Sequence, residues 1–354
     1  MIVLGADTHK RSHTIAAVSA TSGELLGEQT VLSGAKGAMG LLKWARGLGS
    51  DRVWAIEDCR HVSGSLERFL IEHGERVLRV HSTLTAGSRR EARGRGKSDS
   101  IDALAVARAA LREGLETLPA AHLDGPELDL RLLVDHRERL VRARVAINNT
   151  LQWHLHDLWP DLQFPGSSLF HGKWRPRIAR RLARAEQSTR VRIARDELRR
   201  LRELTQAIKQ LEAEIADLVA RIAPHLLAEP GFGPLTAAKL VGEIAGADRF
   251  SSDAKLARAA GIAPIPVSSG NTRRHRLDRG GNRQINATIH RIAVTRLRCH
   301  AETKDYIARK RAEGKSTKDA IRCLKRHLTR RIWHLLQTPA PAPDQTLTPT
   351  TSLT

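Results

Sequence analysis

The order of short apolar runs in the first 118 residues constrains the fold more than any other feature of this sequence of 354 residues. Three runs in close succession predict strands, at residues 2–6, 14–18 and 28–32. The later segments alternate, and they predict a helix at 37–48, a strand at 53–56, a helix at 63–73 capped by Ser63, a strand at 77–80 and a helix from its cap Ser100 to Leu111. Three strands followed by alternating helices and strands are typical of a ribonuclease-H-like α/β domain.

Four acidic residues stand at the ends of these predicted elements. Asp7 closes the first strand and Glu57 the fourth, while Asp99 and Asp102 are three residues apart at the start of a helix and share one face. Each acid alone is explained as a turn or first-turn residue, and Asp58 is a rival to Glu57. Together, four carboxylates in one cleft favour Mg²⁺ or Mn²⁺ over zinc, and two such ions can assist phosphoryl transfer.

A basic run directly precedes this helix. Residues Arg89 to Lys97 include two glycines and five basic side chains. A solvated loop is the simplest interpretation. A flexible clamp for substrate phosphates, including Lys97, is the more specific hypothesis.

The middle of the chain, residues 127–222, predicts long helices. Apolar residues spaced four, three, four, three and four apart form a heptad seam that predicts a subunit-pairing coiled coil, namely Leu204, Ile208, Leu211, Ile215, Leu218 and Ile222. The stretch from Lys173 to Arg202 holds twelve basic and three acidic residues. That imbalance favours a phosphate-contacting surface over an ordinary solvated helix face.

Residues 223–336 predict a compact, mainly helical domain, and the Pro- and Thr-rich residues 338–354 predict a disordered tail. Within the helical domain, Glu229 to Leu240 has the form of a helix-hairpin-helix. Gly231 and Gly233 would permit its tight turn, and the following helix would offer N–H groups to a phosphate. An ordinary helix–loop–helix corner is the alternative.

An isolated pair of serines follows in the same domain. Pro264 and Pro266 hold an extended segment that ends at Ser268-Ser269-Gly270. Serine before glycine is usually a turn residue. Here, however, a group of cations follows that could bind a phosphodiester and stabilise developing charge, including Arg273, Arg274, Arg276, Arg279 and Arg283. No His/Asp pair at the spacing of a hydrolase triad accompanies the serines, which disfavours ester hydrolysis.

Composition limits the partners. Lys and Arg number 59 against 38 acidic residues, for a net charge of +21, so a polyanion such as nucleic acid is expected. No apolar run approaches the roughly 20 residues that span a bilayer, and the N-terminus lacks a signal-peptide pattern, which predicts a cytoplasmic protein without a membrane partner. Three cysteines without a Cys-x-x-Cys pair indicate neither a disulfide framework nor a zinc site.

Several separated stretches resemble the DEDD transposases of the insertion sequence 110 family, whose relatives include the Piv-type DNA invertases. The resemblance covers roughly residues 1–336. The matching stretches, in chain order, are Gly5–Lys10, Ala55–Glu57, Gly96–Ala103, Pro230–Gly233, Leu256-Ala257 through Ala263-Pro264 to Ser269-Gly270, and Gly281-Asn282.

This resemblance implies a RuvC-like domain at 1–118, a coiled coil, and a transposase domain with a nucleophilic serine. Asp7, Glu57, Asp99 and Asp102 would bind metal, and Ser269 would attack DNA to form a phosphoserine link, with Ser268 as the alternative nucleophile. It also implies a structured guide RNA, the bridge RNA, that pairs with donor and target DNA. Dimers or dimers of dimers would form, in which the acidic domain of one subunit completes the site of another.

The leading interpretation is therefore an RNA-guided DNA recombinase. Three alternatives stay open: a site-specific invertase that reads DNA directly, a metal-only nuclease of the Holliday-junction type, and a non-catalytic nucleic-acid-binding protein.

Overall fold

The structure is a computed structural model that describes residues 1–57, 60–82, 84–85, 98–121, 125–164, 168–170, 172–247, 249–269, 272–276, 278 and 280–337. The predicted basic loop with Lys97, the rival acid Asp58, Arg279 and the predicted tail 338–354 lie outside these residues. The chain divides into two compact units. Of the described residues, one unit contains those in 1–125, 228–232 and 243–337, and the other contains those in 126–227 and 233–242.

The first unit begins with a five-stranded sheet in the order β3-β2-β1-β4-β5. Strands β1 and β2 and strands β2 and β3 pair antiparallel, whereas β4 is parallel to β1 and β5 is parallel to β4. The strands and helices of this part are β1 Ile2–Thr8, β2 Ser12–Ser19, β3 Leu25–Leu32, α1 Ala35–Leu48, β4 Arg52–Glu57, α2 Arg60–Glu72, β5 Val77–Val80 and α3 Asp99–Glu113. This is the ribonuclease-H-like arrangement that the sequence predicts.

Helices cover both faces of the sheet. Leu41 of α1 and Leu70 of α2 pack with Leu4 on one face, while Val106 of α3 packs with Val3 on the other. Because successive side chains of a strand alternate between faces, Gly5 and Asp7 share the face that α3 covers.

Two predicted helix caps are wrong. Ser98 rather than Ser100 caps α3, since its Oγ accepts a hydrogen bond from the Ile101 N–H at 3.3 Å and its backbone is extended. Ser63 lies inside α2, where its hydroxyl hydrogen-bonds the buried carboxylate of Glu67. Glu67 in turn accepts hydrogen bonds from the Arg79 guanidinium, at 2.9 and 2.7 Å. Ser63 therefore completes a buried ion pair instead of starting a helix.

The second unit is built on two long helices that pack on each other, α4 Pro126–Leu158 and α6 Thr189–Ile222, with the short α5 Trp174–Arg184 against α6. A heptad pattern is present in α6, but its buried line differs from the predicted one and consists of Val191, Ala194, Leu198, Leu201, Thr205, Ile208, Ile215 and Val219. Of the predicted seam, Ile208 and Ile215 are buried and the other four residues are half-buried. Ile215 is therefore part of the core of its own chain.

The remaining elements are mostly helical and include a β-hairpin that the sequence did not predict. The elements are α7 Pro224–Leu227, α8 Pro234–Ile244, α9 Asp253–Ala259, β6 Ile265–Ser269, β7 Thr272–Arg276, α10 Arg283–Cys299, α11 Ala301–Ala312 and α12 Thr317–Gln337. Strands β6 and β7 pair antiparallel, with Ser268 opposite Arg273 and Ser269 opposite Thr272.

Ion pairs and hydrogen bonds join the sheet domain to the C-terminal helices within the first unit. Arg258 of α9 pairs with Glu113 at the end of α3 at 2.8 Å, and it also pairs with the buried Asp278. Arg249 Nε donates to the Ala120 carbonyl at 2.6 Å. Residues 1–118 and most of residues 223–336, predicted as separate domains, thus fall in one compact unit.

Among the described residues, no helix has both the length and the apolar character needed to cross a bilayer.

The close approach of α3 to β1 makes Gly5 a sensitive position. A Cβ at Gly5 would lie 2.3 Å from the Ala103 carbonyl oxygen and 2.4 Å from the Ala107 nitrogen. We expect Gly5→Ala to push α3 off the sheet and to lower stability by about 1–3 kcal/mol, measured as a lower thermal midpoint.

Gly40→Ala on α1 is the matched control, because a Cβ at Gly40 would meet nothing within 4 Å. It should leave stability unchanged or raise it by about 0.5–1 kcal/mol. Equal effects of the two substitutions would contradict the packing argument.

Candidate active site

Two acidic residues extend from adjacent parallel strands onto one face of the sheet. Ala6 of β1 is opposite Ile56 of β4, so the next residues along, Asp7 and Glu57, stand side by side. Both point to the face that α3 covers, because they follow the alternation that Gly5 and Ala55 begin. The Asp7 residue is 7% exposed and Glu57 is half-buried.

The first turn of α3 brings two further acids to this place. Capping by Ser98 sets Asp99 as the first helical residue, and Asp102 follows three residues later on the same side. Asp102 is 7% exposed, whereas Asp99 is exposed to solvent. The structure therefore brings together the acids that the sequence predicts as neighbours.

Three of these carboxylates, those of Asp7, Asp99 and Asp102, interact electrostatically. Burial raises the pKa of the Asp7 carboxyl, and the negative charges of Asp102 and Asp99 raise it further, while His9 acts in the opposite direction. Like charges gathered in a partly buried site favour either a bound proton or a bound cation.

His9 is a member of this cluster that sequence reasoning did not single out. Its Nε2 lies 3.1 Å from Oδ2 of Asp7 and 3.4 Å from Oδ1 of Asp99. One ligand atom from each of these three residues lies within 4.8 Å of the others, a spacing that could hold a metal ion. The signal in the sequence is the Asp-x-His spacing at the end of a strand, which returns both side chains to one face.

The carboxylate of Glu57 contacts a residue outside its own strand, Thr85, which follows β5 in the chain. The hydroxyl of Thr85, a fully buried residue, lies 2.8 Å from the Ser82 carbonyl and 3.3 Å from Oε1 of Glu57, and it has one proton to donate to these two acceptors. Carboxylate oxygens are the ligands that Mg²⁺ and Mn²⁺ prefer, and the donor set of Asp7, Glu57, Asp99 and Asp102 is of that kind.

The predicted serine nucleophiles lie on the β6–β7 hairpin. Ser269 ends β6 and pairs in register with Thr272, and Ser268 pairs with Arg273. Arg276 at the end of β7 is exposed, as is Arg283 at the start of α10. Backbone pairing places Arg273 and Arg274 in β7, next to the serine-bearing strand. Gly270 lies outside the described residues.

The base of this hairpin is held by tightly packed backbone. A Cβ at Gly281 would lie 2.0 Å from the Gly261 nitrogen, and Gly261 has φ +64°. Asn282 then caps α10, its Oδ1 accepting from the Gln284 and Ile285 N–H groups at 2.8 and 3.2 Å. Its Nδ2 donates to Glu243 at 2.9 Å.

Gly231 and Gly233 take structural roles at the predicted helix-hairpin-helix. Gly231 has φ +81°, and a Cβ there would lie 2.7 Å from Cγ of Arg296. The Gly233 N–H donates to the Thr236 hydroxyl at 2.9 Å, so that group is not free for a phosphate. The helix before the turn, α7, is a single turn of four residues.

Comparison with known proteins identifies relatives for both parts of the chain. Residues 4–160 match the family model for IS110-type DEDD proteins, described as "Transposase". Residues 223–308 match the model described as "Transposase IS116/IS110/IS902 family". Together the two matches cover more than half of the sequence.

Individual relatives extend over nearly the whole chain. An IS116 insertion-element protein of 44.8 kDa from Streptomyces clavuligerus is 26% identical over 98% of each chain. An IS900 insertion-element protein of 42 kDa from Mycobacterium paratuberculosis is 26% identical over 82% of this chain and 84% of its own. Both carry the description "uncharacterized".

One similar solved structure is described as "T. thermophilus RuvC in complex with Holliday junction substrate". It is 14% identical, with a TM-score of 0.27, over 34% of this chain and 99% of its own.

The charge repulsion in the acidic cluster gives a prediction for the metal-free protein. The pKa of Asp7 lies above its ordinary value of 3.8, so the folded state keeps this proton to higher pH than the unfolded state. The Asp7 contribution to stability is thus lost as pH rises from about 3.8 through the raised pKa. In EDTA at pH 7, Asp7→Asn should therefore raise the free energy of unfolding, because the amide carries no charge that burial or the neighbouring carboxylates oppose.

Near pH 4 the gain in the free energy of unfolding from Asp7→Asn should be smaller, as measured by urea unfolding at pH 4 and at pH 7. Asp51→Asn is the control, because that carboxylate is 75% exposed and lies outside the cluster. A variant less stable than the wild type at pH 7, and unchanged by acid, would show that the carboxylates do not repel each other.

Proposed function

This chain belongs to the IS116/IS110/IS902 family of transposases, and from that membership we propose that it cuts and rejoins DNA with a serine nucleophile and a metal-binding acidic site. The observation that carries the proposal is that the acidic cluster and the serine-bearing hairpin belong to one compact unit. The wide match to insertion-element proteins supports DNA as the substrate.

The acidic cluster would hold one or two Mg²⁺ or Mn²⁺ ions through Asp7, Glu57, Asp99 and Asp102. A divalent cation bound there would supply positive charge to a phosphate at the acidic cluster and favour loss of a proton from an attacking oxygen. Thr85 would keep Glu57 in its orientation, and His9, placed between Asp7 and Asp99, would limit repulsion when no cation is bound.

Ser269 would perform the covalent step. Its Oγ would lose a proton and bond to phosphorus, one bridging P–O bond would break, and the released strand end would leave as a hydroxyl. A hydroxyl of a second strand would then attack the phosphoserine, break the serine–phosphorus bond and restore a phosphodiester. The arginines Arg273, Arg274, Arg276, Arg279 and Arg283, together with Lys97, would bind the phosphates and offset the charge that develops.

The wider assembly is proposed on the family resemblance and on charge. Donor and target DNA, and a guide RNA that pairs with them, would together account for a net charge of +21. A dimer or a dimer of dimers would let the acidic site of one subunit act on DNA held by another. A site-specific invertase that reads DNA directly would use the same two groups, and RNA that copurifies with the protein distinguishes the two.

Replacing the serine separates the proposed chemistry from a metal-only nuclease. Ser269→Ala should abolish strand transfer and the trapped protein–DNA adduct in a recombination assay with Mg²⁺, because no other group would form the covalent link. Ser268→Ala is the matched control and should keep both activities. Wild-type turnover by Ser269→Ala, together with loss of strand transfer in Ser268→Ala, would identify Ser268 as the nucleophile. Turnover by both variants would exclude the serine mechanism.

Cation binding can be tested without any nucleic acid. Millimolar Mg²⁺ or Mn²⁺ should raise the thermal midpoint of the wild-type protein, because a ligand that binds only the folded state stabilises it. Asp102→Asn should remove most of that rise. Asp305→Asn, at an exposed residue of α11, should retain it. A rise of equal size in all three proteins would show that the ions bind elsewhere.

A further inference from the structure

A second concave surface lies beside the hairpin, apart from the acidic cluster. It is a cleft of about 810 Å³ between the segment that leads into β6, the end of β7 and the first half of α12. Its walls include Pro264, Arg276, Lys315, Cys323 and Lys325. A cleft of this volume is large enough for several sugar-phosphate units and much larger than a packing gap.

Positive charge dominates the cleft. Five lysines and arginines line it against two aspartates, and the cations are Arg276, Lys315, Arg322, Lys325 and Arg326. Both aspartates already have cationic partners, since Asp278 pairs with Arg258 and Asp319 pairs with Arg322. Among the described residues, no carboxylate lies within ion-pairing distance of Arg276 or Lys325.

Lys325 is the unusual member of this set. It is 7% exposed, and its ammonium donates to a neutral group, Oδ1 of Asn286, at 2.5 Å. Burial and the neighbouring Arg322 lower the pKa of Lys325 to about 8. A buried cation that lacks a carboxylate is unfavourable in the free protein, and an anion brought into the cleft would relieve it.

A hydrogen-bonded chain connects Lys325 to the strand that carries the serines. Nδ2 of Asn286 donates to the carbonyls of Ala260 and Gly261, at 3.0 and 2.9 Å. Those residues come directly before the segment Ile262–Pro264 that lines the cleft and leads into β6. An anion held at Lys325 would thus lie beside the root of the hairpin.

We propose that this cleft binds the phosphodiester backbone of the DNA strand that the hairpin engages, with Lys325 at its floor and Arg276 at its rim. The proposal rests on the proposed function, since it assigns the cleft to the strand next to the serine. DNA is chosen over RNA because the strand next to the nucleophile is the one whose phosphodiester is exchanged.

The reactivity of two cysteine thiols of this chain can be used to test whether DNA occupies the cleft. The Cys323 thiol is free, half-buried and in the cleft wall, whereas the Cys299 thiol is free, exposed and outside it. Saturating amounts of a short DNA duplex, in EDTA, should slow alkylation of Cys323 by N-ethylmaleimide by roughly tenfold, the order expected when a bound strand covers the wall. Peptide mass mapping should show an unchanged rate at Cys299.

An unchanged rate at Cys323 with DNA bound would overturn the proposal. An RNA duplex of the same sequence, at equal occupancy, should protect Cys323 less than DNA does. Equal or stronger protection by RNA would overturn the assignment to DNA.

Substitution gives an independent test. Arg276→Gln and Lys325→Gln should each weaken binding of the same duplex about threefold to tenfold and reduce the slope of log K against log salt by about one, as expected for one lost phosphate contact. Lys36→Gln, at an exposed lysine of α1, is the matched control and should change neither quantity.

Arg276 is exposed, so its replacement leaves the core intact even where Lys325→Gln lowers the thermal midpoint. Unchanged affinity and slope in Arg276→Gln would also contradict the proposal. All these measurements are made in EDTA and need no strand transfer. Activity of both Ser269→Ala and Ser268→Ala would therefore refute the serine mechanism and leave the cleft result as it stands.

Discussion

The contact on which the arrangement of both candidate sites depends is the interaction of one guanidinium with two carboxylates. Arg258 reaches Glu113 at the C-terminal end of α3 and the buried Asp278 beside the hairpin. Although burial opposes its charge, these carboxylates raise the pKa of Arg258 above its ordinary value. Asp102 lies eleven residues before Glu113 on the same rigid helix, about 16 Å along its axis. The helix that presents the acids is therefore anchored, at its other end, to the base of the serine-bearing hairpin.

Both sites carry charge that the folded chain does not neutralise by itself. The acidic cluster gathers four carboxylates, two of them beside His9, and burial and the charges of Asp102 and Asp99 raise the pKa of Asp7. The basic cleft has the opposite imbalance, because the buried Lys325 ammonium donates, among the described residues, only to an amide oxygen. Each arrangement lowers the stability of the empty protein, and each would be relieved by a ligand of the opposite sign. Ligand binding at both sites, as proposed above, would account for the burial of these groups.

Sequence patterns predicted what depends on local periodicity and missed what depends on tertiary contact. The strands follow from the order of the apolar runs, and the placement of Asp7, Glu57, Asp99 and Asp102 follows from their positions at the ends of those runs. By residue type both Ser98 and Ser100 are suitable caps, and only the backbone conformation and the hydrogen bond to Ile101 identify Ser98 as the cap of α3. The buried line of α6 was displaced because Ala194 and Thr205 are too small or too polar to count as apolar positions, yet they face the core. Strand β7 was missed because its residues, Thr272–Arg276, are mostly basic. His9 follows Asp7 in an Asp-x-His spacing, and that spacing becomes informative only when the fold places His9 beside two carboxylates.

The paired helices of the second unit have a consequence for distance. An α-helix of 34 residues such as α6 is about 51 Å long, and about 15 base pairs of B-form duplex cover a similar span. Because the buried line repeats every seven residues, adding or removing whole heptads from both helices would change this length in steps of about 10 Å without rotating one helix against the other. An insertion of two residues, by contrast, would rotate the buried line that follows it by about 200° around the helix axis. The length of the second unit can therefore change by whole heptads while its buried face is kept.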